Sequence, residues 1–438
     1  MVSGEGRVVH VTRRSRKTRR SVGLAAAATL IASLAACAGS DDGGVPTINL
    51  FGGASATGFQ DLIDGCNEQA DGAYEIVGNL VPSDADGQRE QMVRRLAAGD
   101  TGMDLIGMDV VWTAEFAEAG WILPLTDEQA AQASENTLEV PLETATWKDK
   151  LYAIPKHTNA QLMWYRKSLV DKVGDGKPPE TWDEMFEMAQ ELKDAGDPYE
   201  IGFTGARYEG LVVGFNTILS SYGGTIVNED STETTIDDKT TQSLELLNKL
   251  ATSGLANRSL SNSQEPEVFA QLQNGQSAFS LNWPYVLSAM REANPDIAKD
   301  LAFTTFPSTV EGEPSKVTVG GMNFAISKFS EHPKESFDAA MCLRSPENQL
   351  KHSLTAGEPP VDETVFEDPE FKEAYPQGEV LLSALNTASS RPISPVYQNI
   401  STIISSTLSP PSSIKPEETT KELDSSINDA IEGKGILP

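Results

Sequence analysis

The chain has 438 residues, with 34 Lys and Arg against 64 Asp and Glu, a formal charge of −30 at neutral pH. Phosphate affinity comes from Lys and Arg, so this balance argues against nucleic acid or anionic lipid headgroups as partners. It leaves a small neutral or cationic ligand. The length exceeds what a single hydrophobic core usually serves, so two lobes are expected.

The start of the chain reads as a leader. The basic run Arg13-Arg14-Ser15-Arg16-Lys17-Thr18-Arg19-Arg20 enters an apolar segment, Val22 to Ala36, that closes on Leu34-Ala35-Ala36-Cys37. A charged n-region, an apolar h-region and small residues before a cut site mark a secretory signal. A spanning helix needs about 20 apolar residues, more than this segment holds. The cysteine after the small residues predicts acylation at Cys37 and a lipid tether to the outer face of the membrane. An ordinary secretory signal with a chance cysteine is the alternative. Arg19-Arg20 hints at twin-arginine export. Ala38 to Gly44 is small and polar, as a flexible leash requires. Removal of residues 1–37 leaves 27 basic against 63 acidic residues, a charge of −36.

The mature chain opens on an alternating strand, Thr47–Phe51, then a Gly-rich loop, 52–58, and a helix, Phe59–Gln69, with apolar residues at helical spacing. The loop lacks the Gly-Lys-Ser/Thr ending of a phosphate loop. A strand at Tyr74–Leu80, a helix at Ala85–Ala98 and a strand at Asp104–Met108 follow. This alternation predicts a parallel sheet covered by helices, an α/β fold. Leu151–Pro155 leading into Gln161–Tyr165 reads as a strand passing from one lobe to the other. Thr181 and Glu184 form a capping box at the start of the next helix. Further helices are expected at 211–222, 240–253, 265–274 and 284–292. Val317–Ile326 alternates as a strand broken by Gly320 and Gly321, as at a bend between lobes. Helices at 334–343, 379–386, 397–408 and 416–431 complete the chain.

Apart from Cys37, the chain holds Cys66 and Cys342. An even pair in an oxidising compartment predicts one disulfide; two free buried thiols are the alternative. The mature histidines, His157, His332 and His352, have no metal spacing, and no Gly-x-Ser-x-Gly elbow is present. Neither a metal nor a cofactor is expected.

Five stretches carry a family resemblance: TGMDLIGMDVVWTAEFAEAGWILPL (101–125), LYAIPKHTNAQLMWYRKSLV (151–170), PPETWDEMFEMAQEL (178–192), NGQSAFSLNWPYV (274–286) and KVTVGGMNFAISKFSEHPKESFDAAMCL (316–343). In order and content they resemble the maltose-binding-protein-like (cluster B) solute-binding proteins of ABC importers, over nearly the whole mature chain. Within that family, EGLVVGFNTILSSYGG (209–224), LNWPYV (281–286) and RPISPVYQ (391–398) are similar to the actinobacterial trehalose-binding lipoproteins. The resemblance implies a type II periplasmic-binding-protein fold, with two α/β lobes joined by a multi-strand hinge and the ligand in the cleft. Its expected boundaries are 1–37 leader, 38–46 tether, 47–156 with 319–362 as lobe 1, and 157–318 with 363–438 as lobe 2. It further implies a monomer that hands trehalose or a related disaccharide to two permease subunits and an ATPase subunit.

A sugar site needs polar side chains for hydroxyl pairs and an aromatic face for C–H patches. Asp109 sits at the carboxyl end of a parallel strand, where α/β sheets bind ligands, and matches a family sugar-binding Asp; capping the next helix is the alternative. Asn159 matches a family binding Asn, or stabilises a turn. Glu265 matches a family ligand residue, or serves as a first-turn charge. Trp283 is the stacking candidate, with Trp112 second and core packing the alternative for both. Gly320 and Gly321 would admit the ligand close to the backbone, or form a bulge. Arg391 matches the family's Arg-Pro arginine and would donate a fork of hydrogen bonds, or make a surface salt bridge. The Ser55–Thr57 loop departs from the trehalose-binding pattern, which can carry an acid there. The rival to a non-catalytic binding protein is an exported glycoside hydrolase that uses Asp109 and Glu265 as its carboxylate pair; a binding protein for another oligosaccharide or a glycerophospho-compound is the further alternative.

Overall fold

The computed structural model describes residues 44–52 and 58–434. The leader with Cys37, most of the leash and the Ser55–Thr57 loop lie outside the described residues.

Strands β1 (Thr47–Phe51), β2 (Glu75–Asn79) and β3 (Leu105–Asp109) run parallel, each pair joined by a helix, Phe59–Gln69 or Ala85–Ala97. A two-residue hairpin, β4 (Thr146–Trp147) with β5 (Lys150–Leu151), precedes β6 (Ala153–Asn159). The second half of the chain supplies β7 (Leu162–Arg166), β8 (Glu200–Gly202), β9 (Ser277–Asn282), β10 (Leu301–Thr305) and β11 (Gly320–Ile326). One sheet has the order β2-β1-β3-β11-β6, the other β10-β7-β9-β8. The first sheet is mixed rather than parallel throughout. β11 returns from the far end of the sequence and runs antiparallel to both β3 and β6, which local alternation cannot foresee.

Period-two alternation explains why both faces of the first sheet are buried. Ile48, Leu50 and Leu105 point into a core with Phe59 and Phe324. Phe51, Ile106 and Met108 point the other way, toward Met92 and Phe116. Around the second sheet a larger core gathers Trp164, Trp182, Phe215 and Phe279. Thr181 and Glu184 make the expected capping box, and Gly196 closes that helix in the left-handed region at φ 77°.

The chain passes between the sheets where β6 runs into β7 and again where residues 317–319 run into β11. The expected strand at 317–326 pairs within the sheet only from Gly320. Before it, Thr318 bridges to Ser389 instead. Thr318 is also tied to a wholly buried helix, Glu209–Ser221, through Asn216 Nδ2 (3.0 Å) and the Thr217 hydroxyl (2.9 Å). That helix starts two residues before the expected Leu211. Among the described residues no helix is long and apolar enough to cross a membrane.

Cys66 and Cys342, 276 residues apart in sequence, form a disulfide, Cα to Cα 5.9 Å, between two helices packed on the first sheet. Closing so long a loop restricts the unfolded chain, and loss of such a bond typically costs about 2–5 kcal/mol. Urea unfolding with and without reductant should show a loss of that order. Alkylation of both thiols in the folded, unreduced protein would contradict the pairing.

Candidate functional site

A cleft of about 500 Å³ opens between the two sheets. All seven sequence candidates line it: Asp109, Asn159, Glu265, Trp283, Gly320, Gly321 and Arg391. They arrive there because strands of both sheets end at it. Asp109 is the last residue of β3, Asn159 of β6, and Trp283 follows β9. Asn159 and Gly320 stand opposite each other in the β6–β11 pairing.

Asp109 does two jobs. Its Oδ1 accepts the Val111 N–H at 3.1 Å, capping the turn Val110–Trp112, and also a hydrogen bond from Arg391 Nη2 at 3.1 Å. The carboxylate remains 23% exposed toward the cleft.

Arg391 departs from expectation. It is not free to grip a ligand with its fork, because it is 3% exposed and its terminal nitrogens are spent inside the protein. Nη1 donates to Glu209 Oε1 at 2.5 Å, and Nη2 to Asp109 and the Val319 carbonyl. Glu209 accepts further bonds from the Tyr397 and Ser401 hydroxyls. Burial pushes the Glu209 carboxyl up, and Arg391 pulls against it. Burial alone would lower the guanidinium, but Asp109 leads the neighbours that raise it further. Arg391 thus orients Asp109, at the end of the first sheet, from the side of the second.

The glycines also serve neighbours in the protein. A Cβ on Gly320 would sit 2.8 Å from the Trp283 ring, and one on Gly321 2.3 Å from the His157 carbonyl oxygen. Gly321 stands at φ 131°, a conformation side-chain-bearing residues rarely adopt. Their smallness fits the indole and the neighbouring strand into place, so close backbone approach to a ligand is not what requires it.

Trp283 is half-buried, its Nε1 donating to Glu265 Oε1 at 3.4 Å. Trp112 touches the cleft but is 3% exposed and stacks on Phe116 at 6.0 Å, as a core residue does. The other Glu265 oxygen accepts the Tyr208 hydroxyl. Burial, reinforced by Glu265, keeps that phenol protonated.

Sequence reasoning missed Tyr208, Glu209, Tyr285, His157 and Glu358, which also line the cleft. Glu209 carried one signal: it is the lone acid opening an apolar helix. Glu358 carried none, since it sits in Gly357-Glu358-Pro359-Pro360 without periodicity. His157 Nε2 lies 3.1 Å from Glu358 Oε2, and Asn159 Nδ2 donates to the same oxygen at 3.4 Å. Burial, with Lys156 nearby, holds His157 well below the usual histidine range, so it is neutral. Burial likewise lowers Lys156, to about 8, despite Glu358.

Comparison with known proteins agrees with this architecture. Residues 54–350 match the family model of bacterial extracellular solute-binding proteins. A probable ABC transporter-binding protein of Deinococcus radiodurans is 28% identical over 75% of this chain and 80% of its own. The diacetylchitobiose-binding protein DasA of Streptomyces coelicolor is 24% identical over 72% and 75%. Among solved structures, maltose-bound MalE3 of T. maritima superposes with a TM-score of 0.80 at 27% identity, covering 87% of this chain and 98% of that one. The fold is the type II periplasmic-binding-protein fold, with its two α/β lobes and intervening cleft. The chain belongs to the bacterial extracellular solute-binding proteins.

Proposed function

We propose that the protein captures a small saccharide, trehalose foremost, outside the cytoplasmic membrane and delivers it to an ABC importer. One observation carries this: the cleft gathers Asp109 and Asn159 from the first sheet, Glu265 from a helix start and the half-buried Trp283 from the end of β9, around a volume of about 500 Å³. Hydroxyl-binding side chains and an aromatic face are what a sugar ring demands. Relatives named for maltose and diacetylchitobiose support the saccharide class. The motifs at 209–224, 281–286 and 391–398 support trehalose in particular.

Contacts drawn from both lobes bias a hinge equilibrium toward the closed form, because they are complete only when the lobes meet. The bodies that move are 47–156 with 319–362 and 157–318 with 363–438. Two permease subunits and an ATPase subunit receive the closed form, and acylated Cys37 holds the monomer to the membrane.

A thermal-shift panel of neutral disaccharides tests this. A ligand at 100 times its Kd adds about 2.7 kcal/mol, so trehalose should raise Tm clearly above non-binders. Asp109→Asn removes a charged acceptor and should weaken trehalose by about 2 kcal/mol, with a smaller change in ligand-free Tm. No shift with any disaccharide would sink the proposal.

A further inference from the structure

The cleft's second end, between Trp283 and Glu358, is not furnished like a site for hydroxyls alone. A sugar hydroxyl both donates and accepts, so a wall that suits it offers both kinds of group. Here the wall's donors are spent on its own acceptors. The Tyr208 hydroxyl and Trp283 Nε1 donate to the Glu265 carboxylate. The Tyr285 hydroxyl and Asn282 Nδ2 donate to the Glu265 carbonyl, both at 3.3 Å. Asn159 Nδ2 donates to Glu358, and His157 Nε2 lies 3.1 Å from the same oxygen.

Apart from the second amide N–H of Asn159, what remains is acceptor. Asn159 Oδ1 is buried and has no partner. His157 Nδ1 is likewise buried and has no partner among the described residues. Glu265 and Glu358 keep lone pairs, and Glu358 is 23% exposed. Both carboxylates act on one residue: the Tyr285 phenol, pushed up first by burial, is raised further by Glu265 and by Glu358.

Cationic charge is equally scarce. Among the described residues, the carboxylates lining the cleft are Asp84, Asp109, Glu209, Glu265 and Glu358, and the one guanidinium is Arg391, already held by Asp109 and Glu209. Lys156 does not line the cleft, and its ammonium lies over the Phe59 ring at 4.6 Å. Burial pushes the Glu358 carboxyl up, and Lys156 only partly offsets it.

We infer that this end of the cleft seats a protonated amino group on the saccharide, held by Glu265, Glu358 and Asn159 Oδ1. An ammonium brings three donors and no acceptor, which complements three acceptors whose donors are spent. The inference rests on saccharide capture and names its class: an amino-substituted disaccharide.

Calorimetric titration of the purified protein with paired probes tests it. The pairs are trehalose against trehalosamine, and diacetylchitobiose against its free diamine. Charge-assisted bonds should make each amine bind at least about tenfold tighter than its neutral partner. Rising salt should erode the amine's affinity and spare the neutral sugar. Glu358→Gln, its fold checked by ligand-free Tm, should cost the amine more affinity than its neutral partner and so remove most of the preference. Equal or tighter binding of the neutral partner would overturn the inference and leave saccharide capture standing. Absence of binding by every sugar would overturn both.

Discussion

Arg391→Met should destabilise the folded protein by about 3–5 kcal/mol, as expected when a buried ion pair loses one partner. The guanidinium is the cation that Glu209 Oε1 meets at 2.5 Å, and it also holds Asp109. Without it, Glu209 stays 5% exposed among hydroxyls that cannot neutralise it. Burial already pushes that carboxyl up with Arg391 present, and removal of the cation raises it further. An acid whose folded pKa lies above its unfolded value loses stability as pH rises from the unfolded to the folded value. The variant's deficit should therefore be smallest below the ordinary glutamate range and grow toward neutral pH. Urea unfolding at several pH values measures this. Adding Glu209→Gln should recover part of the loss, because both members of the pair are then neutral. A deficit under about 1 kcal/mol at neutral pH would mean that the pair does not organise the cleft.

Trp283→Ala should weaken sugar binding by about 2–3 kcal/mol, roughly 30- to 150-fold, as removal of a central aromatic anchor does. The indole's place is fixed from two sides: Gly320 leaves room against one part of the ring, and Glu265 accepts its N–H. The variant also leaves Glu265 with one fewer donor. Trp283→Phe keeps a smaller apolar face and should retain part of the affinity. Both variants should lose the sugar-induced change in tryptophan emission. Binding by Trp283→Ala equal to the parent's would place the indole in the core and leave the sugar without its platform.

The elements with strong local signals were legible in the sequence. The helices at Tyr397–Leu408 and Pro416–Ile431 fall where periodicity puts them, as does the Thr181–Glu184 capping box. The seven candidate residues also meet in one cleft, since strand ends and helix starts carry them there. The roles of those residues were less legible. Arg391 meets Asp109 across 282 positions and Glu209 across 182, and no local pattern encodes such pairings. A sequence cannot show that an arginine's terminal nitrogens are already engaged, nor that a glycine yields to an indole. Glu358 was invisible for a related reason: its meaning lies in His157 and Asn159, on the distant strand β6, and its Gly-Pro-Pro surroundings read only as a turn.

The central claim is that the cleft takes up a saccharide and gives it back unchanged. Isothermal titration of the protein with trehalose and trehalosamine tests it most directly. The account predicts saturable heats with about one site per chain, each injection returning to baseline, and the tighter isotherm for the amine. Flat titrations, or heat that persists after each injection because the glycosidic bond is being cleaved, would contradict it.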